Sequence, residues 1–328
     1  MAIPRLLLLW LALLTVFAGG VRGADYEYFL TGSAADAKPA RTEAGLLLMG
    51  GGGDVDDAFR WFVRQAGGGD IVVLRASGGD GYNDYLFSRI GGVDSVETLL
   101  FHQRAAADDP RVLTIIRQAE GIWLAGGDQS RYVKYWKDTP IGAALNAHVR
   151  AGKPLGGTSA GLAVLGEFSY SALDPGTLTS PIALQDPFDR RITLERNFLH
   201  LQRLRGVITD SHFSQRSRLG RALVFLARLA EPARRERLVG IGIDERTALA
   251  IEADGTARVI TSGAGRVWLL RPGPPPETLA AGRPLTLRDV SVIGLGPDSR
   301  LDFNQLEVKN PAVVSTVSVV DGQLLERQ

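Results

Sequence analysis

The chain has 328 residues, 45% of them hydrophobic and 22% charged, with 37 basic against 36 acidic side chains. That composition supports a sizeable buried core and excludes disordered and fibrous classes, while a formal net charge of +1 leaves no electrostatic footprint for nucleic acid. The sequence contains no cysteine, so disulfide scaffolds, thiolate metal sites and cysteine nucleophiles are excluded together.

Residues 1–23 read as an export signal. Arg5 closes a short basic start, residues 6–20 are an uncharged apolar run, and Val21 and Gly23 occupy the −3 and −1 positions of a cleavage site. The run is shorter than the roughly 20 apolar residues a membrane-spanning helix needs. The mature chain is therefore expected outside the cytoplasm, in a periplasm or the medium, with no membrane contact after cleavage. Residues 24–270 are expected to form the main domain and residues 271–328 a C-terminal β extension.

Residues 45–49, 71–74, 96–101 and 121–125 are short apolar runs of the kind that form strands buried on both faces. Helical patterning follows Asp54 and recurs over 109–118 and 141–150. This alternation predicts an α/β fold, a mostly parallel sheet with helices on both faces. Chemistry in such sheets sits in the loops beyond the carboxyl ends of the strands, here residues 50–53, 76–84, 126–129 and 156–161. Gly50–Gly53 is not a nucleotide fingerprint, because the third glycine of GxGxxG would fall on Val55; it reads as a tight strand-to-helix turn. Residues 173–191, rich in Asp, Pro, Ser and Thr, read as a surface loop or hairpin. Strands are expected over 239–243, 247–252 and 258–261, with Ala253-Asp254-Gly255 as a hairpin turn. Beyond the break at Pro272–Pro276, residues 285–295 and the last 20 alternate polar and apolar, as in a small C-terminal β appendage.

The stretch with the most chemical content is Gly157-x-Ser159-x-Gly161, placed where a strand turns into a helix. Such glycines let backbone segments pack around a sharp turn that lifts the serine hydroxyl to the sheet edge, and the Ala160 amide then faces a developing oxyanion. A serine nucleophile needs a base, most often histidine. His148, within a helix, reads as a surface or half-buried residue, and His102 and His200 read as structural. His212 follows the strand 206–211, ahead of a helix expected from Ser214 onward, and is the candidate base on the rim of the same sheet. The orienting acid is expected at Asp174, between serine and histidine in the chain, with Asp186, Asp189 and Asp210 competing. Arg216, Arg218 and Arg221 stand beside the base, as a solvated basic face or as a clamp for substrate carboxylates. Gly127, in the loop Gly126-Gly127-Asp128-Gln129, is a candidate second oxyanion donor, and Gln129 a candidate substrate contact.

Taken together, Gly126-Gly127-Asp128-Gln129, Gly156 to Gly161, Asp210 to Arg221 and Gly240-Ile241-Gly242-Ile243-Asp244-Glu245 resemble the cyanophycinase family of serine peptidases, relatives of aspartyl dipeptidase. The resemblance spans roughly residues 45–260. It implies a flavodoxin-like α/β fold, Ser159 as nucleophile, His212 as base and no cofactor or metal. It also implies substrate-pocket roles for Gln129, Asp210, Arg216, Arg218 and Arg221. The implied substrate is a peptide such as cyanophycin, a poly-aspartate carrying arginine on its side chains, released as β-Asp-Arg dipeptides. The family usually carries Asp-Gln-His where this chain has Asp210-Ser211-His212, and the segment between Ser159 and His212 is longer around 175–189. An aspartyl or isoaspartyl dipeptidase is the alternative within the same chemistry. A non-catalytic binding protein on the same fold is the alternative of another class, and a homodimer is left open.

Overall fold

Leu46, Leu47, Leu48 and Met49 offer solvent no polar atom beyond the backbone, so the strand they form belongs inside a sheet covered on both faces. The computed structural model, which describes residues 21–22, 25–39, 41–230 and 237–327, places all four at 4% exposure or less. Most of the expected export signal lies outside the described residues.

The strands of the first half are β1 (Val21–Arg22), β2 (Tyr26–Gly32), β3 (Gly45–Met49), β4 (Asp70–Arg75), β5 (Ser95–Phe101), β6 (Gly121–Leu124) and β7 (Leu155–Thr158). Then come β8 (Phe168–Tyr170), β9 (Leu194–Arg196), β10 (Val207–Asp210), β11 (Val239–Ile243), β12 (Thr247–Glu252) and β13 (Thr256–Thr261). The C-terminal strands are β14 (Val267–Arg271), β15 (Leu287–Leu295), β16 (Arg300–Asp302), β17 (Glu307–Lys309), β18 (Val313–Val320) and β19 (Gln323–Arg327). The helices are α1 (Asp56–Gln65), α2 (Gly81–Asp84), α3 (Pro110–Gln118), α4 (Gln129–Trp136) and α5 (Pro140–Arg150). Three more follow: α6 (Ala160–Ala163), α7 (Ser180–Gln185) and α8 (Leu219–Leu229).

The expected parallel sheet is present as β5-β4-β6-β7-β3, within a larger sheet whose flanking strands are antiparallel. Helix α1 buries Phe59 and Phe62 on one face against Leu47, Ile71 and Trp123, and α3 to α6 cover the other, giving a flavodoxin-like α/β core. The structure departs from the expectation in one respect that matters for function. Strands β8, β10 and β11 belong not to this sheet but to a second one, ordered β19-β18-β15-β14-β11-β10-β8-β9. Short buried strands read alike whichever neighbour they pair with, so the sequence pattern could not assign them to a sheet. One face of the second sheet, with Val207, Val239, Ile241 and Leu269, shares an apolar cluster with Leu46, Leu48 and Leu162. Its other face packs on α7 and α8.

The extension over 271–328 builds onto both sheets: β15, β18 and β19 continue the second, and β16 and β17 continue the first. Residues 173–191 are more than a surface loop, because α7 lies within them and buries Ala183 and Leu184, with Leu178 buried just ahead of it. Helix α8 begins at Leu219 rather than at Ser214; the intervening residues form turns, with Ser217 at φ +49°. No helix among the described residues is long and apolar enough to cross a membrane.

His148 is buried on α5, at 5% exposure, with Nε2 on the Pro154 carbonyl oxygen at 2.9 Å and Nδ1 without a partner. Burial pushes its pKa down to about 4 from 6.5. A histidine held neutral in the folded state is fully stabilising above the unfolded pKa, and that contribution is lost as pH falls from 6.5 towards 4. The loss is of order 3 kcal/mol over that window. His148→Gln should remove this part of the acid sensitivity, so Tm plotted against pH should fall more steeply below pH 6.5 for the wild type. Parallel curves would show that His148 is not held neutral by the fold.

Candidate active site

Strand β7 ends at Thr158 and α6 starts at Ala160, leaving Ser159 alone to turn the chain. It does so at φ +52° and ψ −110°, a conformation that costs a residue with a Cβ and persists only where neighbours enforce it. The enforcing contacts explain the flanking glycines. A Cβ on Gly157 would lie 2.7 Å from the Gly161 carbonyl carbon, and one on Gly161 only 2.0 Å from the Leu124 oxygen. The Ser159 N–H donates to the Met49 carbonyl oxygen at 3.1 Å, tying the turn to the end of β3.

The partner comes from the second sheet. Strands β10 and β11 run parallel with Asp210 opposite Gly242, so the residues just past each strand emerge side by side. His212 follows β10 at φ +45°, and its N–H donates to the Gly50 carbonyl oxygen at 2.8 Å. The next ring, Phe213, fills the space that Gly242 leaves, where a Cβ would lie 2.3 Å from it. The Ser159 Oγ stands 2.8 Å from His212 Nε2, and His212 Nδ1 stands 2.7 Å from Glu245 Oε1. A carboxylate at Nδ1 fixes the tautomer: Nδ1–H donates to Glu245, and Nε2 accepts from the serine hydroxyl. Burial lowers the His212 pKa and Arg216 and Arg218 lower it further, against the opposing effect of Glu245. The imidazole is therefore neutral, and able to accept a proton, at pH 7.

Asp174 is not at this site. It pairs with Arg190, while Asp189 pairs with Arg191 at 2.7 Å and Asp186 accepts the Phe188 and Gly282 N–H groups. The acid at the histidine is Glu245, which lies after His212 in the chain, whereas the sequence reading looked between serine and histidine. Its signal was present: Glu245 follows the end of β11 just as His212 follows β10, within a motif already singled out.

Asp210 is also not open to a ligand. Its oxygens accept from Arg221 Nε at 2.8 Å and Nη2 at 2.6 Å, from Arg218 Nη1 at 3.0 Å and from the Ser211 N–H at 2.9 Å. Burial alone would raise its pKa, but the two guanidinium groups outweigh that and hold it below the usual carboxylate range. Arg221, 5% exposed and stacked 5.1 Å over the Tyr170 ring, is a buried structural cation. Arg218 is half-buried; burial pushes its pKa down to about 10, and it also donates to the Ser211 carbonyl oxygen at 2.7 Å. Arg216 is exposed beside the histidine. Gln129 donates to the Tyr170 carbonyl oxygen at 3.4 Å.

The Ala160 amide occupies the first position of α6, where no intrahelical acceptor exists. On the other side of the serine, a Cβ on Gly126 would lie 3.5 Å from Ser159 Cβ, so Gly126 borders the serine side chain. Residues Gly50–Gly53, read as a turn, also line the site. A Cβ on Gly51 would lie 2.6 and 2.7 Å from His212 Cε1 and Nε2, and one on Gly52 2.4 Å from the Glu245 carboxyl. A separate cavity of about 680 Å³, lined by Asn197, His200 and Arg205 among others, lies at the opposite end of β10 and includes none of these groups. Among the described residues no group of three or more histidine, aspartate or glutamate side chains stands where a metal ion would be held.

Residues 86–178 match the model of peptidase family S51. A cyanophycinase of Synechococcus elongatus is 36% identical over 220 residues, covering 64% of this chain and 62% of that protein, so the match spans less than two thirds of the relative. A cyanophycinase of Trichormus variabilis is 29% identical over 290 residues, 84% of this chain and 90% of the relative. The crystal structure of a peptidase from an acI-B1 actinobacterium superposes with a TM-score of 0.53 at 19% identity, covering 74% of this chain and 97% of the other. That last likeness bears on the fold alone.

The close approach of Gly51 to the imidazole gives a direct test. Gly51→Ala places a methyl group inside contact distance of His212 at a backbone φ of +88°. The rate of Ser159 labelling by a fluorophosphonate probe should fall at least about 100-fold, or about 2.7 kcal/mol, with the fold retained by circular dichroism. Unchanged labelling would mean that His212 does not sit against this loop.

Proposed function

We propose that the chain is a serine-type peptidase of family S51 that cleaves aspartyl peptide bonds of a cyanophycin-like polymer to β-Asp-Arg dipeptides. The observation that carries the reading is the unbroken hydrogen-bond line from Ser159 through His212 to Glu245. Ser159 Oγ attacks the scissile carbonyl carbon while His212 Nε2 takes its proton, and Glu245 stabilises the imidazolium that forms. The Ala160 and Gly127 amides face the oxyanion. The leaving amine departs with the proton from His212, and water, deprotonated by the same histidine, hydrolyses the acyl-enzyme.

The substrate class is supported by the name the curated relatives share and by cations at the site, where exposed Arg216 suits a carboxylate. One observation favours the dipeptidase reading enough to include it in the test. Asp210, bound by Arg218 and Arg221, is not free to accept a substrate guanidinium. Supplying the β-Asp-Arg polymer alongside α- and β-aspartyl dipeptides separates the two readings by which is cleaved.

Ser159→Ala should abolish turnover, and Glu245→Gln should lower kcat by about 10³–10⁴-fold, the magnitude seen when a triad acid is neutralised. Asp174→Asn should leave kcat within about twofold. For the wild type, kcat/KM should be half-maximal on its acid side at a pH below 6.5, because the base must be neutral and its pKa is depressed. Turnover surviving in Ser159→Ala, or a loss in Asp174→Asn matching that in Glu245→Gln, would overturn the assignment.

The export signal over residues 1–23 belongs to the same proposal. Expressed in a Gram-negative host, the full chain should appear in the periplasmic fraction or the medium without those residues, and a chain starting at residue 24 should stay in the cytoplasm. Recovery of full-length protein from the cytoplasm alone would count against export.

A further inference from the structure

Two loops supply the histidine and the acid, and each is fastened by a side chain of the other. After β10, the Ser214 N–H donates to Asp244 Oδ1 at 2.9 Å; after β11, the Glu245 N–H donates to Gln215 Oε1 at 2.9 Å. Residue 244 thus holds the backbone two residues beyond the histidine, and residue 215 holds the backbone of the acid itself. Asp244 is 4% exposed, and its carboxylate also accepts from the Arg266 N–H at 2.9 Å and from Trp268 Nε1 at 3.1 Å. Its three donors are therefore all neutral N–H groups, two of them anchored on the residues that begin β14 or directly precede it. Gln215 is exposed. One backbone bond completes the seam, Phe213 N–H to Ile243 oxygen at 3.1 Å, and Arg246 N–H to Gly51 oxygen at 2.8 Å ties the second loop to the turn after β3.

We propose that Asp244 and Gln215 form a reciprocal clasp that positions His212 and Glu245 relative to one another. The physical need is specific. Parallel neighbours diverge once their ladder ends, and the ladder between β10 and β11 ends at Asp210 and Gly242. His212 and Glu245 both stand beyond that point, yet their contact requires 2.7 Å. Catalytic geometry of this kind tolerates about 0.5 Å of displacement before rate is lost. The backbone bond next to the ladder guides Phe213, but at residues 214 and 245 the crossing is made by side chains. Both are positioning residues, acting through the His212–Glu245 bond and not on the substrate.

This inference rests on the proposed Ser159–His212–Glu245 chemistry, so its test carries a readout independent of turnover. Gln215→Met keeps the side-chain length and removes the acceptor, and because Gln215 is exposed the fold should survive, with Tm within a few degrees of wild type. Its kcat should fall about tenfold with KM within twofold. The groups facing His212 are Glu245, Arg216 and Arg218. Loosening the one carboxylate among them leaves two cations, so the acid-side midpoint of kcat/KM should move to lower pH. Gln215→Glu keeps an acceptor for the Glu245 N–H and should restore kcat to within about twofold, and its added charge can only raise the midpoint. Asp244→Asn, buried and isosteric, should show the same kcat loss as Gln215→Met.

The downfield proton resonance of His212 Nδ1, followed against pH, gives the same midpoint without substrate. An inert wild type would defeat the peptidase reading, while the resonance would still report on the clasp. Unchanged kcat and unchanged midpoint in both Gln215→Met and Asp244→Asn would overturn the clasp. So would a loss confined to KM, or a loss of Tm with kcat per folded molecule preserved.

Discussion

Where the Gly51 backbone passes the His212 imidazole, a single added carbon would stand 2.6 Å from the ring, and the rest of the site is arranged around that closeness. The ring is held between Ser159 and Glu245 along its polar axis, and Gly51 closes its flank. Both residues that project into this space, Ser159 and His212, adopt positive φ. Strain of that kind costs on the order of 1–3 kcal/mol per residue. It is offset where the loops are rooted, in β3, β7 and β10, whose residues are buried throughout. Fully burying one leucine of β3 contributes roughly 1.5–3 kcal/mol, so a few such positions hold the two strained turns in place.

Charge is distributed so that the histidine remains a base. Among the described residues the one carboxylate in contact with it is Glu245, while Asp210, two residues away, is neutralised by Arg218 and Arg221. Had Asp210 been free, a second negative charge near the imidazole would have raised its pKa and favoured the protonated form. Instead the residual positive charge of the arginines adds to the effect of burial, and the ring is neutral when the substrate arrives. Arg218 therefore belongs to the electrostatics of the base as well as to the pairing of Asp210, while Arg221 joins α8 to β10.

Ser159 and His212 were legible in the sequence because their local signals are strong. Glycines two residues on either side of a serine are rarely needed except at a sharp turn, and His212 follows a strand that leads on towards a helix, on the rim where such sheets carry chemistry. The five parallel strands were legible for a similar reason, since short apolar runs between helical segments leave little choice of layer. What the sequence could not disclose was which strands share a sheet. Residues 207–210 and 239–243 have the composition of interior strands, and nothing in them distinguishes a continuation of the first sheet from the start of a second. The turn at Gly50–Gly53 was under-read for a related reason. A glycine run indicates that something passes close by, and what passes, here an imidazole and a carboxylate, is set by tertiary structure.

The acid is the instructive case, because the error lay in the rule applied to it. Looking for a carboxylate between serine and histidine assumes a chain order, but a triad is defined by geometry and its members occur in several orders. A strand argument does better. Once His212 is placed at the carboxyl end of a parallel strand, its far nitrogen points along the sheet towards the neighbouring strand end. The neighbour in register is β11, and the first carboxylates past its end are Asp244 and Glu245. They divide two tasks between them, Asp244 turned inward to backbone donors and Glu245 turned to the imidazole. Both stand past the end of β11, where the chain turns through Arg246 at φ +54°, and it is this turn that separates the residue that holds the loop from the residue that holds the base.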